Sequence, residues 1–288
     1  MDAPDLFSQA PEPSGSSESQ AAPETERTPD PPAAESPSRK ALLELRGVSK
    51  SYETGMQRMV ALESVDLRVD EGEFVCVVGP SGCGKTTLLK IVSGLEPPDR
   101  GSVLYRGRPV HGVNLDTALI FQSYSLLPWL DVRDNIELPL EARGIPPEER
   151  RRRADIHIDK VGLDGYEEAY PRELSAGMKQ RVVLARAFAV EPELLCMDEP
   201  FSGLDVLTAA NLREEVTQLW QDESMPLNAV LMVTHMIEEA VLMADRVVVL
   251  SSRPGRVVSE VRIELERPRN RRDEKFSEYA DQIFSLIV

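Results

Sequence analysis

The sequence predicts an α/β protein built around a mainly parallel β-sheet, and three observations carry that reading. The solid apolar run Phe74 to Val78 has the length and β-branched content of a strand buried on both faces. From residue 117 onward the strand-sized runs Ala118 to Phe121, Leu194 to Met197 and Val230 to Val233 alternate with helical patterns, the order that yields a parallel sheet covered by helices. The helix expected after Asp205 shows its period well, with Leu212, Val216, Leu219 and Trp220 on one face.

From the N-terminus, residues 1 to 40 are rich in Pro, Ser, Glu and Ala and nearly empty of large apolar side chains. Such a stretch cannot bury enough surface to offset its ordering entropy and is expected to be disordered. Residues 1 to 38 hold eight acidic groups against one base, Arg27, so they carry -7 of the net charge of -16. Leu43 to Val48 and Met59 to Val69 then alternate like half-buried strands and open the folded domain, expected over residues 41 to 265. Arg150 to Arg153 follow Glu148 and Glu149 on a helical stretch, at the i, i+4 spacing of a solvated, ion-paired face. Residues 266 to 288 place Phe276, Tyr279, Ile283, Phe284 and Ile287 at helical spacing, an extension expected to pack onto the domain.

Composition narrows the function. No run approaches the roughly 18 apolar residues of a membrane-spanning helix, and the opening Met1-Asp2-Ala3-Pro4-Asp5 lacks the basic and apolar regions of a secretory signal. A cytosolic protein is expected. Three cysteines, Cys76, Cys83 and Cys196, have no metal-ligand spacing and imply neither a disulfide nor a zinc framework. The acidic balance argues against a nucleic-acid partner, since phosphate backbones need clustered Lys and Arg.

The chemistry begins at the end of the first buried strand. Gly79, Pro80, Ser81, Gly82, Cys83, Gly84, Lys85, Thr86 and Thr87 fit the phosphate-binding pattern G-x-x-x-x-G-K-[ST], between a strand and the helical stretch Leu88 to Ser93. Glycines let backbone N–H groups curl around phosphate oxygens, Lys85 can reach the terminal phosphates, and the Thr86 hydroxyl can bind magnesium. Cys83, at a helix N-terminus beside Lys85, is expected to have a lowered pKa and a reactive thiolate, with Cys76 and Cys196 shielded on apolar strands. Downstream, Leu194-Leu195-Cys196-Met197 runs into Asp198 and Glu199. A carboxylate at that strand end can sit beside the magnesium, and the next one can polarise a water for attack on the γ-phosphate.

Between these motifs lies Glu173 to Leu184, ELSAGMKQRVVL, where Ser175-Ala176-Gly177 opens a helix and offers a second anion site. This segment resembles the signature sequence of ABC ATPases. Its order with GPSGCGKTT, LLCMDEP, SGLD (Ser202 to Asp205) and a late histidine is similar to that family over residues 41 to 265. The resemblance implies a P-loop NTPase core of ABC-ATPase type, with a small antiparallel β portion near residues 41 to 70 and 101 to 112 and a helical portion near residues 131 to 190. It also implies hydrolysis of ATP with Mg2+ in a homodimer, where ATP on one P-loop is closed over by Ser175 and Gly177 of the second subunit and Asp205 lies at the interface.

By the same resemblance Gln122 contacts magnesium or the attacking water, His235 contacts the γ-phosphate, and Tyr52 stacks on adenine. Lys85, Asp198, Glu199 and His235 would then carry the reaction. Met178 and Lys179, the segment Tyr124 to Ile136 and the segment Ser252-Arg253-Pro254-Gly255-Arg256 look like the branch serving nitrate, sulfonate and taurine uptake. That implies separate transmembrane permease subunits, a solute-binding protein and a place on the cytoplasmic face of the membrane; a lipid-moving or exporting ABC ATPase, or a soluble non-transport one, shares the core motifs. Two departures stand out. Ala176 replaces a usual glycine, which is expected to restrict φ and weaken dimer closure, and Met236 follows His235 where aspartate is common. The cluster Leu126, Leu127, Trp129 and Leu130 is either core or a groove that receives a short permease helix.

Overall fold

The chain opens with β1 (Ala41–Thr54) and β2 (Gln57–Asp70), a long antiparallel hairpin. The register pairs Leu43 with Val69, Leu45 with Leu67 and Val48 with Val65, and all six of these side chains are buried. The structure, a computed structural model, describes residues 40–55, 57–222 and 225–287; the acidic stretch expected to be disordered lies outside the described residues, Lys40 apart. β3 (Glu73–Val78) is buried at every position, as its apolar run predicts, and leads through the glycine-rich turn into α1 (Lys85–Val92). β4 (Arg100–Tyr105) and the short β5 (Arg108–Pro109) complete a four-stranded antiparallel sheet of order β2-β1-β4-β5.

The remaining elements build the second layer. β6 (Thr117–Ile120) is followed by three helices, α2 (Val132–Ala142), α3 (Pro147–Lys160) and α4 (Ala176–Ala189). Then come β7 (Leu194–Asp198), α5 (Val206–Gln221), β8 (Ala229–Thr234), α6 (Ile237–Met243), β9 (Arg246–Leu250), β10 (Val257–Arg262) and α7 (Glu274–Ile287). Six strands form a sheet of order β10-β9-β3-β8-β7-β6, parallel throughout except for β10 at one edge. Successive side chains of a strand point to opposite faces, so β3 serves two cores. Phe74, Cys76 and Val78 pack with residues of α2 to α6, while Val75 and Val77 pack with α1 and the antiparallel sheet. Among the described residues no helix is long and apolar enough to cross a membrane.

Some local expectations shift. In α3 Glu149 takes both Arg152 and Arg153, Arg153 also reaches Glu191, and Arg150 reaches Glu137 and Glu141 on α2. In α7 Phe276 and Ile283 are buried, but Phe284 faces solvent, so the helix docks by a narrower face than its apolar spacing suggested.

One buried ion pair joins the layers. The Arg246 guanidinium donates to both carboxylate oxygens of Glu73 at 2.8 and 2.9 Å, to Glu260 at 2.8 Å, and to the Arg68 carbonyl. It thereby ties β9 to β3, β10 and β2. Truncating one partner of a buried pair strands the other charge, so Arg246→Ala should cost about 3 to 5 kcal/mol in urea unfolding. The double change Arg246→Met with Glu73→Met should recover much of that loss; equal destabilisation of both variants would assign the effect to packing instead.

Candidate functional site

The parallel register sets the site. Val78 pairs with Thr234, Val233 with Asp198, and Met197 with Ile120. Gly79, His235 and Glu199, each one residue past its paired position, and Gln122, two residues past Ile120, are therefore delivered to one rim at the carboxyl ends of the strands, where open α/β sheets place their ligands.

The glycine-rich turn is wedged at this rim. A Cβ on Gly79 would lie 2.9 Å from the Cys83 sulfur and 3.0 Å from the Leu250 carbonyl, and one on Gly84, whose φ is 103°, would lie 2.8 Å from the Ala61 carbonyl. Gly84 caps α1 with no side-chain hydrogen bond, so no side chain competes for the first-turn N–H groups. The Lys85 ammonium is buried and donates to the carbonyls of Gly79 at 2.8 Å and Pro80 at 3.1 Å.

Glu199 is the hub. Its φ of 46° is left-handed, a conformation uncommon outside glycine, and its N–H donates to Val233 at 2.9 Å, which extends the β7–β8 ladder by one step. From there its carboxylate accepts from Gln122 Nε2 at 3.3 Å, lies 3.0 Å from His235 Nδ1 and sits 3.8 Å from Lys85 Nζ. Asp198 is buried beside it and hydrogen-bonded to the Thr86 side chain; burial pushes its carboxyl above the ordinary range, against the pull of Thr86 and Lys85. A hydroxyl, a buried carboxylate and a nearby amide, from Thr86, Asp198 and Gln122, make the hard oxygen set that suits Mg2+. The residues present fit that ion.

Two further sequence-marked groups take different places, one beside the rim and one away from it. Tyr52 donates from Oη to Glu96 at 2.5 Å and lies 3.3 Å from Thr87 Oγ1, which holds its ring beside the end of the turn. Ser175 and Gly177 stand apart and line a small separate pocket with Met178, Arg181, Thr208 and Asn211. Ser175 caps α4 by accepting the Met178 N–H at 3.3 Å. A Cβ on Gly177 would come 2.5 Å from Thr208 Cγ2, so a larger residue there would push the Thr208 methyl on α5 aside. Ala176 is the exposed first residue of α4, a helical position alanine favours, so the expected φ restriction does not arise. Asp205 caps α5 by accepting the N–H groups of Leu207 and Thr208, and the Thr208 side chain first, then those N–H groups, hold its carboxyl below the usual range.

Two expectations are corrected. Cys83 is buried, and burial raises its thiol pKa despite Lys85 beside it, so the reactive thiolate expected from the helix N-terminus is overturned. Trp129 is 69% exposed, which excludes the core reading for that residue; Leu126, Leu127 and Leu130 of the same loop are half-buried. Asn135 on α2 fixes this loop, accepting the Leu127 N–H at 2.9 Å and donating to the carbonyls of Leu127, Leu130 and Asp131. Sequence reasoning missed Asn135 and Glu96. It also missed Glu239, which is buried and accepts from Thr234 at 2.9 Å and Arg213 at 2.8 Å beneath His235. Glu96 and Glu239 belong to no motif, and Asn135, although inside the segment Tyr124 to Ile136, carries no role there that the sequence marks; only their partners reveal them.

Comparison with known proteins shows the family and the fold. The sequence profile of the family described as ABC transporter matches residues 62–202. The chain is 46% identical over 248 residues to an uncharacterized ABC transporter ATP-binding protein of Methanocaldococcus jannaschii, covering 86% of this chain and 92% of that protein. It is 43% identical over 254 residues to the nitrate import ATP-binding protein NrtD of Synechocystis sp., covering 85% and 94%. Among solved structures it is similar to a dimeric ATP-binding cassette in a post-hydrolysis state bound to ADP and Pi, with a TM-score of 0.68 and 31% identity over 78% of this chain and 100% of that one.

The buried thiols yield a test. Burial raises the pKa of Cys76, Cys83 and Cys196, so their thiolates form only above the ordinary thiol range, and alkylation at pH 7 to 8 should be slow at all three. Mass-spectrometric mapping after maleimide treatment should show labelling only once the protein is unfolded. Rapid labelling of native Cys83 would contradict its burial.

Proposed function

The chain belongs to the ABC transporter family of ATP-binding, ATP-hydrolysing proteins, and from that premise we propose that it drives an importer for a small anionic solute, nitrate-like or sulfonate-like, through separate permease subunits. The observation that carries the reading is the convergence of Lys85, Gln122 and His235 on one carboxylate, Glu199, beside the Thr86–Asp198 pair. The nitrate import relative supports the uptake branch and the class of solute. A solute-binding protein outside the membrane fits the same branch.

The roles follow from position. The N–H groups of the turn and of α1 cradle the β- and γ-phosphates, and Lys85 is placed to follow charge onto the transferring group. Tyr52 offers a ring face to the base. Thr86, Asp198 and Gln122 would hold magnesium, which supplies charge neutralisation on the phosphate oxygens. Glu199 accepts a proton from water as its oxygen attacks the γ-phosphorus and the bond to the β–γ bridging oxygen breaks, giving ADP and phosphate. His235 and Gln122, both on Glu199, orient that carboxylate and the attacking water. Ser175 and Gly177 lie away from this rim, in a second pocket, so each reaction centre is completed by the Ser175–Gly177 turn of a second copy in a two-fold pairing.

Trp129 and the half-buried leucines of its loop form the surface offered to the permease on the cytoplasmic face of the membrane. Their loop begins just after Gln122, so the docking surface is one short segment from the reaction centre.

Two experiments test this. Glu199→Gln keeps size and hydrogen bonding but removes the base. Turnover should fall by about 100-fold or more, and ATP should hold two chains together on sizing chromatography; a monomer that hydrolyses normally would remove Glu199 from the role. Trp129→Ala alters a surface side chain, so thermal unfolding should move by less than about 0.5 kcal/mol while permease pull-down weakens, since exposed aromatics anchor interfaces. Undiminished permease binding would rule out the docking surface.

A further inference from the structure

Resting on that reading of the glycine-rich turn as the nucleotide site, we propose that Arg253 and Gly255, on the loop between β9 and β10, form a strap that holds the turn in its phosphate-binding shape. Arg253 is then a positioning residue for nucleotide binding.

The strap is closed on itself. The Ser251 N–H donates to the Arg256 carbonyl at 2.9 Å, and the Ser251 hydroxyl donates to the Pro254 carbonyl at 2.8 Å and accepts the Arg256 N–H at 3.0 Å. It is also pinned to β2. The Gly255 N–H donates to the Ala61 carbonyl at 2.9 Å, the Gly255 carbonyl accepts the Glu63 N–H at 3.0 Å, and the Arg256 guanidinium pairs with the Glu63 carboxylate.

Held this way, the strap presses on the turn at two places. The Arg253 Nε donates to the Gly82 carbonyl at 3.1 Å, with Nη1 2.8 Å from Met59 Sδ, so the guanidinium fills the gap between the β1–β2 hairpin and the turn. Gly255 lies so close that a Cβ there would stand 2.1 Å from the Cys83 carbonyl. β2 backs the turn beside Gly255, since a Cβ on Gly84 would lie 2.7 Å from Leu62 Cδ2 and 2.8 Å from the Ala61 carbonyl, the same two atoms that a Cβ on Gly255 would approach at 3.2 and 3.3 Å. Gly82 and Gly84 have φ of 77° and 103°, backbone shapes that glycine adopts as readily as others and therefore leaves readily.

A phosphate cradle works by presenting several N–H groups at once, and a turn that must be ordered on binding charges that entropy to the ligand. The strap settles the cost in advance by fixing the carbonyls of Gly82 and Cys83, whose orientations determine those of the N–H groups that follow them. Arg253 need not touch the nucleotide for this.

The test uses the full chain and a fluorescent ATP analogue with magnesium, with ADP-induced thermal shift as a second readout. Arg253→Ala should raise the analogue's Kd about tenfold and shrink the ADP shift, while the melting temperature without nucleotide stays within a degree or so; Arg253→Lys, which keeps one donor, should recover part of the affinity. In turnover the loss should fall on KM more than on kcat. Gly255→Ala should weaken binding further, because it forces the Cys83 carbonyl aside. Binding by Arg253→Ala within twofold of wild type would overturn the strap, as would equal weakening by Ala and Lys accompanied by a lowered nucleotide-free melting temperature. Lys85→Ala is the control for the underlying reading. Should it bind like wild type, the nucleotide site itself is misassigned and the strap falls with it, whereas lost binding there beside intact binding in Arg253→Ala sinks the strap alone.

Discussion

The site depends first on the register of four parallel strands. Because Val78 is level with Thr234, Val233 with Asp198 and Met197 with Ile120, residues far apart in the chain reach one edge at one height. A slip of one residue in β7 would turn Asp198 to the other face and lift Glu199 away from Gln122 and His235. The register is secured by burial. Every residue of β3, β7, β8 and β9 is buried, so any slip would break the packing of both cores. The chemistry needs no separate device to align its carboxylates.

Close approach of backbone is the second constraint, and it explains glycine at positions where pattern alone shows only a motif. Gly79 is fixed by Leu250 and Cys83, and Gly84 by β2. The same crowding decides the chemistry of Cys83. A helix N-terminus and a neighbouring lysine both favour a thiolate, yet the sulfur is packed against the position a Gly79 side chain would occupy and is shut off from water. Desolvation is the larger effect, so the thiol is a spacer in the turn.

Much of the fold was legible in the sequence, for physical reasons that can be named. β3, β7 and β8 are continuous apolar runs because a sheet covered on both faces gives them no polar side, and α5 shows its period because only one of its faces is buried. The rim residues were legible because each follows a strand end at a fixed offset. What escaped were contacts made across the chain. Arg253 meets Gly82 over 171 residues and Tyr52 meets Glu96 over 44, and neither pairing leaves a periodic trace. Trp129 was ambiguous for a related reason. Apolar clusters are usually core, and only the folded loop shows Leu126, Leu127 and Leu130 turned partly inward while the indole stays outside. The separation of Ser175 and Gly177 from the rim was implied by resemblance and has no local signature at all.

The segment from Gln122 to Asp131 is where these constraints meet. At its start Gln122 donates to Glu199. A few residues on, the carbonyls of Tyr124 and Ser125 accept from Arg186 of α4, at 3.1 and 2.8 Å. At its end the Leu127, Leu130 and Asp131 carbonyls are gathered by Asn135 of α2. The segment is thus attached at one end to the carboxylate hub and at the other to two helices, with Trp129 exposed between the attachments. Arg186 has lost solvent, which lowers its pKa and strengthens its reliance on those two carbonyls. The helical layer and the carboxylate hub are thus joined by one hydrogen-bonded segment, residues 122 to 131, that runs from Glu199 to α4 and α2 without passing through the strands.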